Sequence, residues 1–209
     1  MHASALIKRY ISLILFASFA MAPFAHSDPI SIDLQPSVIG ASTGDSISFD
    51  LVISGLEDSA PDSLGAFDIS VGFDDSALSF SSYSLGSFLG DVGLSEAIDA
   101  SSGALGGSVN VAEVSLLSAA GLDALQPGSF TLATLNFDVT SLALGAVTQL
   151  SLMPGGVLGD GFGASLTLAG SGVAAVSNVP LPGTLMLLAS TLFGWLTWVR
   201  PRPKFSGIR

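Results

Sequence analysis

The sequence predicts an all-β sandwich, with a signal peptide before it and a transmembrane helix after it. Three observations carry this. Apolar and polar residues alternate with period two in several short runs, the mark of strands with one buried and one wet face. Gly, Ser, Asp and Pro separate those runs, as they do in sandwiches. The charges are segregated: all six basic residues lie at the two ends, and all 17 acidic residues lie between Asp28 and Asp160.

Residues 1–27 read as the signal peptide. Lys8 and Arg9 form its positive region, and residues 11–22 its apolar stretch. Ala25 and Ser27 supply the small −3 and −1 residues, which places cleavage before Asp28. A helix of that apolar length rises only about 18 Å, short for a membrane span.

Residues 28–177 then form one domain, long enough for a core without disulfides, and the chain has no cysteine. Ile47, Phe49, Leu51 and Ile53 alternate with Ser46, Ser48, Asp50 and Val52. Phe67, Ile69, Val71 and Phe73 alternate with Asp68, Ser70, Gly72 and Asp74. Leu135, Phe137 and Val139 alternate with Thr134, Asn136 and Asp138. Further strands are expected over 30–34, 78–83, 107–116, 147–152 and 164–168, with one or two helical turns over 118–125 closed by Pro127 and Gly128. The glycine-rich runs 103–107 and 155–163 read as loops. Neither opens a helix after a strand, and no lysine is near, so they are not phosphate cradles.

The composition excludes several functions. Residues 28–199 hold no lysine or arginine, so their 17 acidic residues give a formal charge of −17. Such a surface has nothing to displace counterions from a phosphate backbone, and nucleic acid is excluded as a partner. Residues 28–178 also lack His, Cys and Trp. That removes Ser-His-Asp, Cys-His and Ser-Lys sites, and no catalytic residue is expected. Calcium is the one metal such a carboxylate-rich surface suits. Glu57, Asp58, Asp62, Asp74, Asp75 and Asp160 are its candidates, Asp74 and Asp75 first among them, although Asp-Asp-Ser reads more simply as a turn. No cofactor is expected.

The tail, residues 178–209, has three parts. Residues 181–199 are uncharged, about 28 Å of helix against a hydrocarbon core of about 30 Å. Trp195 and Trp198 suit the interface, and Arg200, Arg202 and Lys204 mark the cytoplasmic side. With Val179, Pro180, Leu181 and Pro182 just before it, this tail resembles a PEP-CTERM sorting signal; Leu181 stands where the usual motif has Glu. The resemblance implies recognition and cleavage near the motif by an exosortase. The two prolines cannot sit inside a helix, so they hold the motif extended at the membrane surface.

Three segments, 44–51, 64–80 and 128–139, resemble cohesin-type domains in the same order. That implies a jelly-roll sandwich over about residues 30–175. Cohesins bind dockerin modules and share their fold with carbohydrate-binding modules. The expected function is therefore a non-catalytic surface or extracellular-matrix protein, with a role in adhesion, scaffolding or biofilm matrix. The alternative is a cohesin-type module that binds a dockerin-like protein or a polysaccharide.

Overall fold

A computed structural model describes residues 29–56 and 63–178. The strands are β1 (Ser31–Pro36), β2 (Ser46–Ser54), β3 (Leu64–Phe73), β4 (Leu78–Leu85), β5 (Ala97–Asp99), β6 (Gly103–Ala104), β7 (Ser108–Ser115), β8 (Ser129–Val139), β9 (Val147–Leu152), β10 (Val157–Asp160), β11 (Ser165–Leu166), β12 (Gly170–Ser171) and β13 (Val173–Ser177). A 3-10 turn spans Val92–Leu94, and the helix α1 spans Ala119–Leu125.

The strands make two sheets. Sheet A runs β12-β1-β2-β8-β4. Sheet B runs β11-β10-β3-β7-β5, with β6 on β7, β9 on β3 and β13 on β9. Strand β3 receives β10 along residues 64–68 and β9 along residues 71–73. The chain enters sheet A at Ser31, beside Ser54 and Gly170. It leaves at the opposite end, where Ser177 forms a parallel bridge with Gly40.

The alternation that predicts the strands also builds the core. Ile47, Phe49, Leu51 and Ile53 face Phe67, Ile69 and Val71 across the sandwich, and all are buried. Strand β8 bulges opposite Leu51 and Val52, so two successive residues, Leu132 and Ala133, are both buried there. Phe137 lies at the centre. The rings of Phe49, Phe73 and Phe80 meet it edge-on at 5.8, 5.0 and 5.6 Å between centroids.

The all-β sandwich stands as expected, with local corrections, among them the short strands β5 and β12, which fall in none of the expected ranges. Residues 155–163 are more than a loop, because they contain β10. Its backbone finds partners along β3, and a glycine at 65 lets the Asp160 carbonyl pass where a Cβ would collide. Residues 103–107 likewise contain β6. Strand β13 was not expected. Its Val-Ala-Ala-Val sequence is apolar on both faces, so no polar residue marks the alternation. The helix expected over 118–125 forms as α1, with the Ser118 hydroxyl accepting the Gly121 N–H at 3.2 Å. Among the described residues no helix is long and apolar enough to cross a membrane. The expected signal peptide with Ala25 and Ser27, the motif Val179–Pro182, the apolar stretch 181–199 and the basic group Arg200, Arg202 and Lys204 lie outside the described residues.

Candidate functional site: a hollow on the outer face of sheet B

The two outer faces differ in chemistry. Sheet A presents a polar ladder. Ser46 donates to Asp138 at 2.6 Å, Thr134 donates to Asp50 at 2.6 Å, and Asn136 donates to Ser82 at 3.1 Å. Sheet B carries a polar group too, with Asn110 Nδ2 bonded to Asp68 and Ser70, but beside it presents small and apolar residues. Register brings Gly159, Ala66, Val114 and Ile98 into one row across β10, β3, β7 and β5. The next row holds Val157, Asp68 and Ala112. Residues directly opposite one another share a face, so the rows form one surface.

That surface is concave. The small residues Gly159, Ala66 and Ala112 floor a hollow of about 420 Å³, walled by Val157, Val114, Leu117 and Leu122. Polar groups sit at its margin. Asp68 Oδ1 accepts from Asn110 Nδ2 at 2.6 Å, which leaves the carboxylate neighbouring the floor already bonded. Asp160 accepts the N–H groups of Phe162 and Ala164 at 2.9 and 2.7 Å, fixing the β10–β11 turn at the rim.

Helix α1 is held against the rim by Gln126. Its side-chain Oε1 accepts the Leu64 N–H at 2.7 Å, and its Nε2 donates to the Leu64 carbonyl at 2.7 Å and the Phe88 carbonyl at 3.0 Å. One side chain thus satisfies the first residue of β3 at a point the β7 pairing, which starts at Ala66, does not reach.

Behind the hollow lies Glu113. It alternates with Ala112 and Val114 on β7 and therefore points inward, where it is fully buried. Neither carboxylate oxygen has a hydrogen-bond partner among the described residues. Burial first, and then the neighbouring Asp99, pushes its pKa up to about 7. Asp99 behaves oppositely. Burial acts to raise it, but the Ser101 hydroxyl and N–H and the Tyr83 hydroxyl outweigh that and lower its pKa. The Tyr83 hydroxyl donates to Asp99 at 2.7 Å.

Two carboxyls with pKa values driven apart is the arrangement of an acid–base pair. Glu113 has no exposed surface, however, so no substrate atom can reach its carboxyl group. The pair bears on stability instead.

Of the calcium candidates, Glu57, Asp58 and Asp62 lie outside the described residues. Asp74 Oδ1 accepts from the Ser76 N–H at 3.0 Å and the Ser76 hydroxyl at 2.6 Å, and these bonds hold its pKa down. That is the turn the Asp-Asp-Ser pattern suggests. Asp75 lies near Gly107. Among the described residues no three His, Cys, Asp or Glu side chains gather as metal ligands.

The hollow itself gives little signal in sequence. Ala66, Ala112 and Gly159 are unremarkable alone, and only the register of three strands joins them. Glu113 does carry a signal, because it occupies the inward phase after Val109 and Val111.

No family model matches the chain, and no curated protein does. Solved structures do match. The sixth cohesin of scaffoldin B from Acetivibrio cellulolyticus, in complex with a Cel5 dockerin mutant, superposes with a TM-score of 0.54 at 19% identity, over 71% of this chain and 99% of that one. The cohesin module of a family 33 glycoside hydrolase from Clostridium perfringens gives 0.54 at 15%, over 73% and 97%. A non-cellulosomal cohesin from the archaeon Archaeoglobus fulgidus gives 0.53 at 17%, over 77% and 98%. At such identities the likeness is one of fold, and the fold is cohesin-like.

Proposed function

We propose that this chain is a non-catalytic binding module that captures a protein partner in the hollow of sheet B. The observation that carries the reading is the hollow: an apolar, concave surface floored by small residues, while the other sheet's outer face is a polar ladder. A floor of Ala66, Ala112 and Gly159 leaves room for the side chains of an apposed helix. The cohesin from scaffoldin B was solved with a dockerin, which favours a dockerin-like partner. Of the 17 acidic residues, all but Asp28, Glu57, Asp58 and Asp62 are among the described residues, and no lysine or arginine is. A partner with a basic rim is therefore the complement.

Immobilised domain is expected to retain one saturable partner from an envelope extract. Val114→Arg, at a wall position that is 41% exposed, puts a long charged side chain into the hollow and is expected to weaken that binding about 100-fold with little change in melting temperature. Ser48→Arg, on the outer face of sheet A, is the control and leaves binding unchanged. Equal binding by both variants would remove the hollow from the argument.

The module is displayed outside the cell in this reading. The signal-like residues 1–27 and the sorting-like tail support export, exosortase processing and a scaffolding role at the surface or in a biofilm matrix. Intact mass of the surface form is expected to show loss of residues 1–27 and of the tail from near residues 179–182. A mature protein that retains residues 200–209 would count against sorting.

A further inference from the structure

Four loops meet at the end of the sandwich where the chain leaves β13. The Ser177 N–H donates to the Ile39 carbonyl at 3.0 Å, and the Gly145 N–H to the Asn178 carbonyl at 2.7 Å. Asn178 Nδ2 donates to the Leu142 carbonyl at 2.7 Å, and the Leu142 N–H to the Thr43 hydroxyl at 3.0 Å. The Thr140 N–H reaches the Ala77 carbonyl at 2.9 Å, and the Phe73 N–H the Gly107 carbonyl at 2.8 Å. Loops 37–45, 74–77, 105–107 and 140–146 and the exit residue Asn178 are thus knit into one end.

The tips of that end are apolar. Ile39 is 77% exposed, Leu105 83% and Leu144 71%. Residues 37–44 and 140–147 contain no charged side chain, in a domain with many carboxylates. The carboxylates at this end are Asp45, which accepts the Ser42 N–H at 2.8 Å, Asp74, which is bonded to Ser76, and Asp75, exposed beside Gly107. Asn178 pins the chain here, and only three residues later Leu181 begins the uncharged stretch 181–199. Three residues span at most about 10 Å.

We infer that this end lies against the lipid surface, with Ile39, Leu105 and Leu144 seated in the headgroup region of a zwitterionic bilayer. The inference rests on reading residues 181–199 as the membrane anchor. Isolated apolar tips bind lipid weakly, but a tether of three residues gives them a high effective concentration at the surface. The carboxylates at the same end disfavour an anionic bilayer.

The chain has no cysteine, so single labels are clean. Ile39→Cys, Leu105→Cys and Leu144→Cys, each carrying an environment-sensitive fluorophore, are compared with Phe162→Cys. Phe162 is 71% exposed at the opposite end. The full chain is reconstituted into phosphatidylcholine vesicles doped with a lipid-borne quencher. The three exit-end labels are expected to be quenched several-fold more than the label at 162. Equal quenching at all four positions, with the protein still floating with vesicles, overturns the seating and leaves the anchor standing. A chain that does not float overturns both. Self-quenching between labelled copies, without lipid quenching, assigns the tips to a second copy and overturns the lipid assignment.

Discussion

Phe137→Ala is expected to destabilise the domain by about 4 kcal/mol. Phe137 is fully buried on β8, the strand that pairs with both β2 and β4. Three phenylalanine rings lean on its faces and edges, and each loses its partner when the ring is removed. Those neighbours come from β2, β3 and β4, so both sheets contribute to the wall of the void. Both sheets would have to shift for it to collapse, which keeps the cavity penalty high. Urea denaturation measures the loss; a change under 1 kcal/mol would show that the core repacks around the gap.

Glu113→Gln is expected to stabilise the domain by about 3 kcal/mol above pH 7.5, and hardly at all below pH 4.5. The sign follows from linkage. The folded pKa is about 7 and the reference value 4.5, so the folded state holds this proton more tightly than the unfolded state. Stability from the neutral carboxyl is fully present below pH 4.5. It falls as pH rises through the interval and is lost above about 7. Glutamine keeps the shape without the charge. Unfolding curves of both proteins at pH 4.5, 6 and 8 test this, and parallel pH profiles for the two would sink it.

The central strands were legible because their residues obey one local rule. Ile47 to Ile53 and Leu135 to Val139 bury every second side chain. Strand β13 escapes that rule, since Val173 and Ala175 are apolar yet point away from the core. Strand β10 escapes because glycines surround it, and its strand character comes from the edge of β3 rather than from its own residues. The hollow is harder still. Ala66, Ala112 and Gly159 come from residues far apart in sequence, and their adjacency is a matter of register. The turn at Asp74 was legible, because the bonds that make it lie within three residues.

The exit through β13 has a mechanical consequence. Under the proposed tether beyond Asn178 and capture on the outer face of sheet B, a pull would run along the length of this strand. The five β13–β9 pairs, from Val173 with Ser151 to Ser177 with Val147, then bear load in shear. Their hydrogen bonds resist together instead of opening one after another like a zip. The Asn178 side chain, bonded to the Leu142 carbonyl, is the first catch that such a force meets.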